Sequence, residues 1–261
     1  MLSLNRFNKA DELADPFPLL IIDNFLNKDE TKNAISFLNT SSFDETVNEG
    51  RKNIRMGTKN FDHVTKNEGI LSDIHDFFNK KKTYDFLYEK LLNISKYSKN
   101  KSIADQIPAN FEKEYYEYKR EIHKSNYKKR FSNFLNTKIP LIEKLRKKFF
   151  FLEMNYAIAT KGYKLPTHTD KKTRIIVFLL YLNDLNEDSG GALEVYSKIN
   201  SKSKDMNEKF FLEKKFQPES GKLIIFLSNP ISYHNVGNIF DESKRYFCYG
   251  SYTSNKDIIW T

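Results

Sequence analysis

The apolar positions of this chain follow two rhythms, one after the other. From about His75 to Phe150 they recur at helical spacing, as in "YDFLYEKLLNISKYS" and "IPLIEKLRKKF". Steps of three and four residues place one apolar stripe on a helix face. Pro108 and Pro140 mark breaks or first-turn positions within it. From Phe151 onward the rhythm changes. "FFFLEMNYAIAT", "RIIVFLLYLND", "GALEVYSKI", "GKLIIFLSN" and "RYFCYGSYT" are short runs rich in β-branched and aromatic residues. Turn residues bound them: Gly162, Pro166, Gly190-Gly191, Pro218, Gly221 and Pro230. That texture predicts strands. Ahead of both regions, "PFPLLIIDNFLNKDETKNAISFLNT" (16–40) predicts a strand and then a helix capped by Asn27, with Glu30 reaching back to it. Strands in series without helices between them imply an antiparallel sandwich or barrel. The expected fold class is therefore α+β. One domain spans 1–261, with a helical segment at 75–150 and an all-β core mainly at 150–255.

Composition narrows the picture. A chain of 261 residues suits one large domain, and its 15% aromatic content argues against disorder. No apolar stretch approaches the roughly 20 residues that span a bilayer, so no membrane partner is expected. The opening "MLSLNRFNKADELADPF" has no signal-peptide apolar core. The single Cys248 makes no internal disulfide or cysteine zinc cluster, and a reducing cytoplasm is the expected compartment. The net charge of +9 sits in one place: 19 Lys and Arg against 8 Asp and Glu between Lys80 and Lys148, and 24 against 26 elsewhere. Such a segment is either the solvated face of helices or a surface for an acidic partner. Tyr and Phe interleaved with Lys and Arg in "NFEKEYYEYKREIHKSNYKKRF" would also suit nucleic acid. No RNA-recognition or helix-turn-helix signature accompanies them. Nothing in the pattern sets an oligomeric state.

Candidate chemistry lies in the strand region. In "PTHTDKKTRIIVFLLYLND", His168 and Asp170 stand two residues apart before a long apolar run. On a strand, such a pair projects from one face. After "GKLIIFLSN" comes "PISYHNVGN", which places His234 just past another strand, 66 residues on. Two histidines and one carboxylate make the facial triad of non-heme Fe(II) oxygenases, which leaves open positions on the metal. Eleven residues later, Arg245 opens the last strand. Buried in a barrel, an arginine needs an anion, and its planar fork suits a carboxylate. Each residue also has a plain structural reading: a polar turn, a core histidine, a surface arginine. A cupin-like barrel holding another divalent ion competes, but the strand region offers no third histidine; His63, His75 and His123 lie outside it.

The ordered set "NYAIATKGYKLPTHTD", "RIIVFLLYLND", "SGGALEVY", "QPESGKLIIFLSN", "SYHNVGN" and "KRYFCYGSYT" resembles the Fe(II)/2-oxoglutarate-dependent dioxygenases of the prolyl 4-hydroxylase-like branch. "PFPLLIIDNFL" is similar to the N-terminal strand of that branch, while the central helical stretch has no counterpart. The resemblance implies a double-stranded β-helix, a jelly roll with the site in its mouth. It implies that His168, Asp170 and His234 bind iron. Arg245 would pair with the distal carboxylate of 2-oxoglutarate, and Tyr156 and Tyr181 would hydrogen-bond the same group. Gly190 and Gly191 would form the turn before a core strand. The implied activity is hydroxylation coupled to oxidative decarboxylation of 2-oxoglutarate to succinate and CO₂, with dioxygen as oxidant and ascorbate as reductant. The substrate would be organic or peptidyl, leaning to a peptide or amino-acid side chain. The loops at 40–66 and 197–215 and the inserted helices would select it. The alternative is a non-enzymatic β-barrel module that binds nucleic acid or an acidic partner through its basic segment.

Overall fold

The computed structural model describes residues 2–66, 69–99, 115–118, 149–198 and 210–258. β1 (Asp11–Leu13) and β2 (Leu19–Ile22) precede α1 (Lys28–Thr40). The cap of α1 is reciprocal: Glu30 N donates to Asn27 Oδ1 at 2.9 Å, and Asn27 N donates to Glu30 Oε2 at 2.8 Å. Two orphan donors of the first turn are thereby satisfied, as the sequence predicts. β3 (Glu45–Asn48) and β4 (Arg51–Arg55) follow, then α2 (Lys59–Lys66), α3 (Ile70–Asn79) and α4 (Lys81–Ser95). The remaining strands are β5 (Tyr115–Tyr116), β6 (Phe150–Ala159), β7 (Leu165–His168), β8 (Arg174–Tyr181), β9 (Leu193–Lys198), β10 (Phe210–Phe216), β11 (Leu223–Leu227), β12 (Tyr233–Val236) and β13 (Arg245–Ser254).

Among the described residues the strands form two sheets. The large one has nine strands, ordered β1-β2-β11-β8-β13-β6-β4-β3, with β5 also paired to β6; the small one runs β10-β9-β12-β7. With two β-sheets and helices outside them, the α+β expectation holds, and the sheets are those of a double-stranded β-helix. The large sheet is covered on both faces. On one side α2, α3 and α4 pack against it through residues such as Phe61, Leu71, Phe78 and Leu87. On the other, apolar residues of both sheets meet, including Leu179, Val195, Phe226 and Phe247. Cover on both faces explains why β8 and β11 read as unbroken apolar runs and not as alternating ones.

Of the segment 75–150, the described residues up to Ser95 lie mainly in α3 and α4, and Tyr115–Tyr116 depart from the helical expectation. These two residues pair parallel with Phe150 and Phe151 of β6 as a short strand. Tyr115 is buried there, its ring stacked 5.1 Å from that of Tyr84, so edge pairing and ring burial override local spacing. Pro108, Pro140 and most of the basic segment, with the surface expected for nucleic acid or an acidic partner, lie outside the described residues. Among the described residues no helix is long and apolar enough to cross a membrane. The turn before β9 needs glycine. Gly190 has φ +76°, and a Cβ there would lie 1.9 Å from the Asn238 carbonyl oxygen.

Candidate metal centre

β7 and β12 are antiparallel neighbours, and their register sets His168 directly opposite His234. Directly opposed residues share a face, and the two imidazole centroids are 4.4 Å apart. Asp170 arrives differently from the expected strand alternation. β7 ends at His168, so the carboxylate sits in the loop beyond it and is held by other groups. Arg174 Nη1, at the start of β8, donates to Asp170 Oδ1 at 2.5 Å, and the Tyr249 hydroxyl of β13 donates to the same oxygen at 3.3 Å. With Oδ1 occupied, Oδ2 has no hydrogen-bond partner among the described residues and lies 3.6 Å from His234 Nε2. One ligand atom from each of His168, Asp170 and His234 falls within 4.8 Å of the others.

The tautomers are set by the backbone. His168 Nδ1 donates to the Pro166 carbonyl at 2.8 Å, and His234 Nδ1 donates to the Ser232 carbonyl at 2.9 Å. A carbonyl only accepts, so each ring carries its proton on Nδ1 and turns an Nε2 lone pair inward. Burial holds His234 below the ordinary imidazole range despite the nearby Asp170 carboxylate. Two imidazoles whose Nδ1 atoms are spent on carbonyls, and a carboxylate oxygen left without a donor, suit a divalent cation.

Arg245 is 1% exposed. Its Cζ lies 5.0 Å from the Tyr181 ring centroid and 4.6 Å from that of Phe247. Nη2 reaches the Tyr181 hydroxyl at 3.4 Å, and Nε has no partner among the described residues. A cation so buried, with one neutral neighbour and an unpaired N–H, calls for an anion. Burial pushes the Tyr181 hydroxyl above its ordinary range while Arg245 pulls it back, so it stays a neutral donor.

Tyr156 does not join this group. In the β6–β13 register it stands opposite Cys248, whereas Arg245 stands opposite Ala159. Side chains alternate faces along a strand, so Tyr156, three places from Ala159, turns to the helices. Its hydroxyl donates to the Leu71 carbonyl at 2.5 Å and its ring stacks on Phe61. The expectation that Tyr156 hydrogen-bonds the cosubstrate is corrected by this parity. Sequence reasoning also passed over Arg174 and Tyr249, which hold Asp170. Each left a signal: Arg174 follows Asp170 by four residues, and Tyr249 shares the parity of Arg245 on β13.

A cavity of about 700 Å³ joins these parts, lined by His168, Asp170, His234 and Arg245 and also by Arg51, Glu153 and Tyr249. Of the two loops expected at the mouth, 40–66 contributes through β4, while the described residues of 197–215 do not line the cavity. Tyr118 lines it from the inserted segment.

Residues 154–252 match the family model described as the 2OG-Fe(II) oxygenase superfamily. Among solved structures, a Pseudomonas putida prolyl-4-hydroxylase is similar at 14% identity over 90% of this chain and 91% of that one, with TM-score 0.46. A Trichoplax adhaerens prolyl hydroxylase, in complex with a hypoxia inducible factor peptide fragment, shares 16% identity over 90% and 83%, TM-score 0.43. HygX from Streptomyces hygroscopicus, with nickel and 2-oxoglutarate bound, shares 10% over 90% and 82%, TM-score 0.45. No curated protein matches the chain. The part of the chain similar to the 2OG-Fe(II) oxygenase superfamily, residues 154–252, holds both histidines, Asp170 and Arg245.

Proposed function

We propose that this protein is an Fe(II)- and 2-oxoglutarate-dependent dioxygenase of the cytoplasm, working as a single domain, that hydroxylates a peptidyl or amino-acid side chain. The superfamily is one of enzymes. The single observation that carries the assignment to these residues is Asp170 Oδ2, buried without a donor between two histidines whose proton-bearing nitrogens face away. That donor set fits Fe(II), and the unpaired guanidinium of Arg245 fits the distal carboxylate of 2-oxoglutarate. Bound together, iron and 2-oxoglutarate would supply the oxidative chemistry, with one oxygen atom of O₂ passing to succinate and the other to the hydroxylated product, and ascorbate keeping the metal reduced.

The chain's own residues bind and orient. Arg174 and the Tyr249 hydroxyl fix Asp170 through Oδ1, so that Oδ2 presents one oxygen to the metal. The Pro166 and Ser232 carbonyls hold both imidazoles in the ligating tautomer. Tyr181 and Arg245 receive the cosubstrate carboxylate, and Phe247, Leu179 and Val177 supply apolar wall that excludes water around it. Incubation with Fe(II), ascorbate, 2-oxoglutarate and dioxygen should release succinate, slowly without substrate. A metal-loaded protein that binds no 2-oxoglutarate would overturn the proposal.

A further inference from the structure

The cavity wall carries a second, differently held cation, Arg51, to which the oxygenase reading assigns no role. Arg51 of β4 stands opposite Ala159 of β6, and Ala159 stands opposite Arg245 of β13. The two arginines therefore share a face of the sheet, two strand spacings or roughly 10 Å apart. Phe247 lies between them, with Arg51 Cζ 5.1 Å and Arg245 Cζ 4.6 Å from its ring centroid. Arg51 also lies over the Tyr163 and Tyr249 rings, at 5.8 and 5.9 Å. Its hydrogen bonds go to neutral acceptors: Nε to Asn53 Oδ1 at 2.9 Å and Nη1 to the Tyr163 hydroxyl at 3.0 Å. Asn53 is 2% exposed and Tyr163 is 1% exposed, so buried groups fix the direction of the fork. Nη2 makes no hydrogen bond to the described residues, and none of their carboxylates pairs with Arg51.

The charge balance of the wall points the same way. Asp170 is matched by Arg174, and Arg245 is assigned to the cosubstrate. Beyond these pairs, Arg51 and Lys171 line the wall with Glu153. Rings alone compensate a guanidinium only in part. A neutral substrate filling the cavity would strip water from Arg51 and leave its charge unmet, whereas a carboxylate would meet it as a charge-assisted pair.

We propose that the primary substrate presents a carboxylate and that Arg51 binds it, one strand beyond Ala159 from the cosubstrate anchor. This rests on the oxygenase reading for the distinction between substrate and cosubstrate. The carboxylate belongs either to an acidic residue of a peptide or to a free acidic amino acid, and the two sources are separable. The probes are short blocked peptides of one common sequence carrying Glu and Asp, Gln and Asn, or Lys, together with free glutamate and aspartate against glutamine and asparagine. Their binding is measured by calorimetry on the full chain loaded with Mn(II) and 2-oxoglutarate. The acidic probes of one source should bind about tenfold tighter than their amides, the scale of a hydrogen bond to a charged group. Arg51→Gln should abolish the preference, Arg51→Lys should keep part of it, and Arg51→Glu should shift it toward the Lys peptides. Equal binding of acidic and amide probes from both sources to the wild-type protein overturns the proposal, with no variant needed. So does a preference that survives Arg51→Glu. A loss of 2-oxoglutarate affinity in Arg51→Gln as large as that in Arg245→Ala also overturns it, by making Arg51 a second cosubstrate anchor. Acidic preference in a protein that binds neither metal nor 2-oxoglutarate would remove the oxygenase reading and leave the Arg51 site standing.

Discussion

The two faces of the large sheet are made by the same strands and do opposite work. On β13, Tyr246, Cys248 and Tyr252 turn to the helices, while Arg245, Phe247, Tyr249 and Ser251 turn to the cavity. The helix face is closed. Phe78 stacks on Phe178 at 4.0 Å, and the hydroxyls of Tyr252 and Tyr156 are spent on the carbonyls of Phe78 and Leu71. The cavity face is open in the chemical sense. Asp170 Oδ2, Arg174 Nε and Arg245 Nε are buried there without hydrogen-bond partners among the described residues. Burial therefore does not mark a functional side chain in this molecule. Unspent polar capacity that lines the cavity does, because an unmet buried group costs stability that a ligand can return.

Mutations on the two faces should separate cleanly, and the largest effect falls on the metal. Asp170→Ala should weaken Fe(II) or Mn(II) binding more than about 100-fold, beyond the range seen when only supporting partners are lost; equilibrium dialysis against the metal measures it. Arg245→Ala should retain metal and lose about 2–4 kcal/mol of 2-oxoglutarate affinity, roughly 30- to 1,000-fold, as for one partner of a buried charged pair. Calorimetry on the Mn(II)-loaded protein is the check. Tyr181→Phe, on the same face, removes one hydroxyl 3.4 Å from Arg245 and should cost two- to tenfold in 2-oxoglutarate affinity, about one hydrogen bond.

Tyr156→Phe, across the sheet, should leave 2-oxoglutarate affinity where it was. Its cost is the lost hydrogen bond to the Leu71 carbonyl, about 0.5–1.5 kcal/mol of stability, read by denaturant unfolding. If Tyr156→Phe weakened 2-oxoglutarate binding as much as Tyr181→Phe, the two-face division would fail.

How far the sequence exposes this arrangement depends on what covers each segment. β8, β11 and β13 lie inside the large sheet, and their apolar runs stand out. β10, "FFLEKKF", is an edge strand of the small sheet with Phe211 and Leu212 exposed, so no apolar run or clean alternation betrays it. β4, "RKNIR", is equally obscure, because one of its faces lines a polar cavity. The same physics governs the site. His168, Asp170, His234 and Arg245 can be picked out by spacing and residue type. Which tyrosine faces them cannot, since that turns on the register of β6 against β13, and one residue of slip moves a side chain to the other face. Arg51 is hidden for a further reason: only the β4–β6 pairing brings it beside residues more than 100 positions away.

The most direct test is 2-oxoglutarate binding to the full chain with and without Mn(II), in the wild-type protein, His168→Ala and Arg245→Ala. If three side chains hold one ion with a guanidinium behind it, binding should require the metal, vanish in His168→Ala and persist at reduced affinity in Arg245→Ala. Binding of equal strength without metal, or undiminished binding in His168→Ala, would contradict the account.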